Sequence, residues 1–347
     1  MVTIKDIARE SGYSVSTVSR VLNHKNDVSP DARKHIEEVV EKFHFVPNNN
    51  AKHLKQSNSK CIGVLVKGIA NLLFADIVEE IQKRVEKTEY TLAVSYLDEE
   101  ADEVEQALYL CRDRKPLGLL FLGGNPTHFE QEFGKIHVPS VLVTNRADGL
   151  KFRNLSSVAT DDVEAAKCAV DALLDAGHKR IGVLGGDLLS SYTSRQRLGG
   201  CEESMREHGM DPEEHLHYKK ARFSYESAYE GTKHLLNEAD DITAIFAMSD
   251  IMAIGAIRAM LDMGYSVPED ISVIGFDGTE MAEYYSPRLA TIKQQCQTLA
   301  ARSMEILLEK LAQIAQAEQA GNGEVNLVPV HEIIPFTFVR GESIKKL

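Results

Sequence analysis

The 347-residue sequence predicts an α/β chain in three parts. A head of three short helices spans about residues 1–47, a polar connector covers 48–60, and a body over 61–347 forms two stacked lobes, each a parallel sheet covered by helices. Three observations predict this. Helical spacing with good capping residues dominates residues 3–45. From Cys61 onward, short apolar runs alternate with amphipathic stretches, the signature of βαβ units. The body is also too long for one continuous sheet, because single cores stop growing at about 250–300 residues.

The first helix places Ile4, Ile7 and Ala8 at i, i+3, i+4, with Thr3 and Asp6 in a T-x-x-D capping box and Gly12 as its stop. A second helix restarts after Ser14 and buries Val18, Val21 and Leu22, which leaves Val15, Ser16, Ser19 and Arg20 on the opposite side. Such a pair is either a surface hairpin or a helix-turn-helix whose second member enters a DNA major groove. Ser29-Pro30 opens a third helix whose Ile36, Val39, Val40 and Phe43 recur at helical spacing. Three apolar stripes close a small core, which favours the DNA-reading alternative.

Phe45-Val46-Pro47 ends the head. In the stretch 48–58 only Ala51 and Leu54 are apolar, so it cannot hold a helix by itself. It is either a solvated linker or a hinge helix that folds only on DNA, with Leu54 as a wedge for the minor groove.

In the body, CIGVLV, TLAVSY, GLLFL, SVLVT, SSVAT, RIGVL, AIFAM and ISVIGF read as strands. Helices are expected over 72–87, 99–112, 162–176, 194–208, 225–237 and 251–263, followed by a helical stretch over 309–323 that crosses between lobes and a final strand in IIPFTFVRGES. Ligands of such sheets bind at the C-terminal strand ends. Polar residues stand there: Asn71, Asn145-Arg146, Asp161, Ser249-Asp250 and Asp277. Together they suit a small polyhydroxy ligand. Taken singly each is equally a loop residue or a helix cap, Asp250 in particular.

Charge divides along the chain. Residues 1–60 carry ten Lys/Arg against seven acids, whereas the total is 39 against 52. A basic head facing phosphates and an acidic body kept away from them fit this asymmetry. Five scattered cysteines without a C-x-x-C pattern suit reduced core thiols. With no apolar leader and no run of about 18 apolar residues, a cytoplasmic location with no membrane contact is expected. Phosphate-loop, dinucleotide-binding, zinc-peptidase and serine-hydrolase motifs are missing, and the twelve histidines show no ligand spacing. No catalytic residue, metal ligand or cofactor is therefore expected. The Gly185-Gly186 turn before Arg195 and Arg197 is an anion cradle at most.

TIKDIARESGYSVSTVSRVLN, F-V-P-N-N-N-A-K-H-L and SDIMAIGAIRAMLDMGYSVPEDISVIGFDGTEMAEYYSPRLATIKQ occur in this order, and together they resemble the lac repressor (LacI/GalR) family of bacterial transcription regulators over residues 3–343. The resemblance implies a repressor that binds double-stranded operator DNA, under control of a sugar or sugar derivative held between two lobes of periplasmic-binding-protein type. It places Val15, Ser16 and Arg20 at base-choosing positions, Thr17 and Ser19 on phosphates, and Leu54 in a central base step. It maps effector contacts onto Leu73, Phe74, Asp161, Arg197, Phe223, Ser249, Asp250 and Asp277.

The same resemblance implies lobe one over about 61–162 and 289–321, lobe two over about 163–288 and 322–347, and a homodimer, since no leucine-heptad tail follows the last strand. Glu305 stands where relatives that bind a phosphorylated carrier protein have arginine, which argues against that partner. Asn71-Leu72-Leu73-Phe74 and Ala221-Arg222-Phe223 depart from the family pattern, and Arg222 suggests a charged or phosphorylated ligand. A sugar-transport protein or an α/β enzyme sharing the body are the alternatives. The head disfavours the first and the missing motifs disfavour the second.

Overall fold

The structure, a computed structural model, describes residues 4–22, 28–43, 60–68, 71–321 and 325–347. The chain divides into two compact units, 1–59 and 60–347. The expected hinge, with Leu54, lies outside the described residues, as does the Thr3 cap.

In the first unit, α1 (Ile4–Ser11), α2 (Val15–Leu22) and α3 (Pro30–Lys42) close on a core of Ile7, Ala8, Val18, Val21, Ile36 and Val39. Gly12 takes the left-handed conformation that turns α1 into α2, at φ +74°. The Ser14 hydroxyl accepts the Thr17 amide at 3.1 Å, and Ser29 accepts the Ala32 amide at 3.4 Å, so both helices start where their capping residues predict.

The second unit holds two six-stranded sheets. The first has the order β11-β5-β4-β3-β1-β2, built from β1 (Cys61–Lys67), β2 (Thr91–Leu97), β3 (Gly118–Leu122), β4 (Ser140–Val143), β5 (Leu155–Ala159) and β11 (His331–Ile333). Its strand pairs are parallel throughout. The second runs β12-β10-β9-β8-β6-β7, from β6 (Ile181–Gly185), β7 (Leu216–Lys220), β8 (Ala244–Ala247), β9 (Ser272–Asp277), β10 (Ala290–Lys293) and β12 (Thr337–Val339). Here β12 alone pairs antiparallel.

Helices α4 (Leu72–Val85), α5 (Glu103–Asp113), α6 (Pro126–Glu132) and α13 (Cys296–Gln319) belong to the first lobe. To the second belong α7 (Asp162–Asp175), α8 (Tyr192–Glu207), α9 (Pro212–His215), α10 (Tyr225–Glu238), α11 (Asp250–Asp262) and α12 (Glu280–Tyr284). Central strands such as β3 and β6 are buried along their whole length, as parallel strands covered on both faces must be.

Several expectations are corrected. β10 pairs with β9, so residues 290–293 belong to the second lobe and not the first. β11 pairs with β5, so residues 331–333 return to the first lobe. The single final strand is instead two short ones in different sheets, divided at Pro335, which has no amide hydrogen for a ladder. Of the stretch expected to cross between lobes at 309–323, residues 309–319 are the end of α13, which starts at Cys296 and packs on the first sheet through Leu299, Met304, Leu307 and Leu311. The helix expected from residue 99 starts at Glu103, because Asp102 accepts the Val104 and Glu105 amides. The chain passes between lobes three times, after β5, after β10 and after β11.

Candidate functional site

Two surfaces carry chemistry, one in each unit. On the head, α2 buries Val18 and Val21 and turns Val15, Ser16 and Arg20 outward, with Thr17 and Ser19 half-buried beside them. Val15 is 38% exposed, an apolar side chain set among hydroxyls on the outward face of α2. The Ser14 hydroxyl lies 2.6 Å from that of Ser16 and 2.9 Å from that of Thr17, which fixes the first turn of the helix.

In the body, the C-terminal ends of strands from both lobes face a cleft of about 940 Å³, part of it open to solvent. Amides of Asn71, Asn125, Asn145 and Gln294 line it together with hydroxyl groups of Thr144, Ser191 and Thr193, and Phe74 and Phe223 supply aromatic surface. The lobes touch through these same groups. Asn71 Nδ2 donates to Asp277 Oδ2 at 3.2 Å, Asn125 Nδ2 to the Ser190 carbonyl at 3.1 Å, and Asn145 Nδ2 to Thr193 Oγ1 at 3.0 Å. Across the mouth Arg222 donates to Glu99 at 2.8 Å and to Asp98 at 2.6–2.7 Å.

The floor of the cleft is a charge network. Arg197, 5% exposed, donates from Nε to Asp162 Oδ1 at 2.8 Å and from Nη1 to the Met248 carbonyl, and its guanidinium lies 3.5 Å from the centre of the Phe276 ring. Asp277 is 2% exposed and accepts from Gln294 Nε2 at 2.9 Å. Its φ of 111° is rare for a residue with a Cβ; Thr144, also lining the cleft, has φ 74°. Backbone strain of this kind gathers at functional sites, held by the surrounding bonds.

Burial pushes the Asp277 carboxyl up to about 6 against the pull of Arg197. Burial, with Asp277 nearby, pushes Asp250 up to about 7, and burial raises Asp162 as well. These groups hold their protons more tightly folded than unfolded, where a carboxyl titrates near 4. For Asp277 and Asp250 the contribution to stability is therefore full below about pH 4 and lost as pH rises through about 6–7. Asp250→Asn is expected to reduce the loss of unfolding free energy between pH 5.5 and pH 8 by at least ~1 kcal/mol, measured by urea denaturation. Equal slopes in variant and wild type would refute it.

Of the eight residues expected at a ligand, Leu73, Phe74, Arg197, Phe223 and Asp277 line the cleft and the other three do not. Asp161 caps α7 by accepting the Val163 and Glu164 amides. Ser249 caps α11 by accepting the Met252 amide. Asp250 is not that cap: one of its oxygens accepts the amide and hydroxyl of Thr279 and the other accepts the Thr291 hydroxyl, which ties three segments together beneath the cleft. Arg222 bridges the lobes through two carboxylates and is not poised as an anchor for a charged ligand.

Lys67, Asn125, Thr144, Thr193 and Gln294 were missed. For all but Thr193, which lies in the first turn of α8, the signal is a polar residue at or just beyond an apolar run, and it becomes specific only when the strand order is known. Among the described residues, Asp102, Glu103 and His128 come close enough to share an ion. Glu103 Oε2, however, already receives Lys67 Nζ at 2.6 Å and His128 Nδ1 at 2.9 Å. Burial pushes the Glu103 carboxyl up, but these bonds and the Asn125 amide outweigh it and the net shift is downward. The cluster has its cations built in.

Comparison with known proteins covers both units of the chain. Residues 3–48 match the family described as bacterial regulatory proteins, lacI family, and residues 170–344 match the periplasmic binding protein-like domain. The chain is 38% identical over 307 residues to the HTH-type transcriptional regulator MalR of Clostridium butyricum, covering 88% of this chain and 91% of that protein. It is 32% identical over 309 residues to catabolite control protein A of Priestia megaterium, with coverage of 88% and 91%. A crystal structure of the lac repressor dimer bound to operator and the anti-inducer ONPF matches with a TM-score of 0.67 at 27% identity, covering 99% of each chain.

Proposed function

Because the chain belongs to the lacI family of bacterial regulatory proteins, we propose that it is a sequence-specific DNA-binding repressor whose operator affinity is set by a small hydroxyl-bearing effector held between its two lobes. The observation that carries this reading is a cleft lined from both lobes by amides, hydroxyls and two aromatic rings, in a chain that also presents the outward face of α2. Leu73, Phe74, Arg197, Phe223 and Asp277 surround the effector, joined by the amides of Asn71, Asn125 and Asn145.

The working form is a homodimer in the cytoplasm. Two copies of α2 read two half-sites, with Val15, Ser16 and Arg20 on bases and Thr17 and Ser19 on phosphates. The segment 48–60 is a hinge helix that carries Leu54 into the central base step. An effector acts by population shift: it favours whichever arrangement of the lobes it binds better, and operator affinity follows by linkage. Among the described residues no helix is long and apolar enough to cross a membrane.

Selection from a random DNA pool tests the reading head. The wild-type chain should yield a two-half-site motif, and the Arg20→Ala variant should lose preference at one position per half-site while weakening binding by about 1–3 kcal/mol. An unchanged motif would remove Arg20 from its assigned role. In a mobility-shift assay Leu54→Ala should weaken operator binding at least tenfold and leave non-specific binding unchanged, since the wedge depends on a kinkable step. An equal loss on both DNAs would show that Leu54 supports the head and not the kink.

A further inference from the structure

We propose that the effector is an uncharged polyhydroxylated molecule and that the cleft is built to reject phosphorylated and other anionic ligands. This rests on the reading of the cleft as the effector site. A phosphate ester is held most strongly by a cation free to receive it, and among the described residues each of the four cations lining the cleft already has a carboxylate on it. Lys67 pairs with Glu103 at 2.6 Å and Arg197 with Asp162 at 2.8 Å. Lys220 pairs with Asp187, and Arg222 with Asp98 and Glu99.

The lining also contains Glu99, Glu100, Asp187 and Asp277, while Glu103, Asp162 and Asp98 stand directly behind the cations, so acids outnumber bases at the site. The mouth continues this excess: around the space just outside the clamp, Glu226 and Glu230 join Asp98 and Glu99, against the single base Arg222 among the described residues. An anionic ligand would have to peel a carboxylate from its partner, gaining one ion pair for one lost. It would then sit beside the displaced acid in a poorly screened cleft. A neutral ligand meets no such cost. The cross-lobe amides of Asn71, Asn125 and Asn145 each spend one N–H and one carbonyl lone pair on protein partners and keep a second of each for hydroxyl groups.

The arrangement also names the change that would admit phosphate. Asp187 receives Lys220 on one oxygen and caps the Leu189 amide at 2.8 Å with the other, a bond that asparagine can keep. Asp187→Asn therefore releases Lys220 toward the cleft without undoing the loop.

The test uses the full chain and reads unfolding temperature, because a ligand that binds the folded state raises it. Inorganic phosphate is titrated at constant ionic strength into wild type, Asp187→Asn and Lys220→Ala. Neutral sugars are then compared with their own phosphate esters at about 50 mM and 500 mM salt. The expected results are no saturable phosphate response in wild type and a response at least tenfold tighter in Asp187→Asn. A neutral sugar should exceed its ester at least tenfold at low salt, with the gap narrowing at high salt as the acidic mouth is screened. Saturable phosphate binding by wild type that disappears in Lys220→Ala overturns the proposal, and so does an ester that matches or exceeds its neutral parent. If every sugar is silent, the effector reading of the cleft falls, while the phosphate titration still decides whether the cleft excludes anions.

Discussion

Replacing Arg197 by methionine is expected to destabilise the second unit by about 3–5 kcal/mol, the usual cost of removing one partner of a buried ion pair. Methionine keeps much of the volume, so the loss is electrostatic. Asp162 is left buried beside no guanidinium, the Met248 carbonyl loses its donor, and the Phe276 ring loses the cation lying on its face. The double variant with Asp162→Asn should recover a large part of the loss, because the orphaned charge goes with its partner; simple addition of the two single losses would contradict this.

The single variant should also become more sensitive to pH. Burial already raises Asp162, and without the guanidinium nothing opposes it. The folded state then takes up a proton at low pH and loses that advantage as pH rises through the raised value, so the deficit is larger at pH 8 than at pH 5.5. Urea denaturation at the two values measures it, and a deficit independent of pH would show that Asp162 does not carry the cost. Arg197 lines the cleft, but its replacement undermines the fold before it reports on a ligand, so it makes a poor probe of effector binding.

The same residue shows where sequence reading ends. The second and third helices of the head were legible because each begins at a capping residue, Ser14 or Ser29, and repeats its apolar positions at helical spacing. Central strands were legible because burial on both faces demands unbroken apolar runs. The edge strand β7, LHYKK, was not, since an edge half-open to water needs no such run. Strand-end polarity located the cleft but could not sort its residues. Asn71 caps the helix after it and also meets Asp277 across the lobes, 206 positions away in sequence, whereas Asp161 and Ser249, at other strand ends, cap the helices that follow them and do not line the cleft. The partner of Arg222 was equally hidden: an arginine beside a ligand-sized space suggests an anion site until Asp98 and Glu99 are found on it.

Two adjacent glycines in α8 should respond to alanine in opposite directions. At Gly199 an added Cβ meets nothing within 4 Å, so Gly199→Ala is expected to stabilise the second unit by about 0.5–1 kcal/mol through reduced freedom of the unfolded chain and better helix propensity. At Gly200 the Cβ would fall far inside contact with the Val163 carbonyl oxygen on α7, and within 3.0 Å of the Lys167 amide nitrogen. Backbone atoms in the middle of a helix cannot turn aside as a side chain can, so the two helices must separate, at a cost of about 3 kcal/mol. That separation is felt at the cleft. α7 begins with Asp162, α8 carries Thr193 and Arg197, and the Asp162–Arg197 pair and the Asn145–Thr193 bond both depend on where these helices lie. Gly200→Ala is thus expected to lose effector response at temperatures where the chain is still folded, while Gly199→Ala keeps it and melts later. Thermal unfolding with circular dichroism, paired with the effector-dependent change in operator affinity, separates the two. Equal behaviour of the variants would mean that the close approach of α7 and α8 does not set the geometry of the cleft.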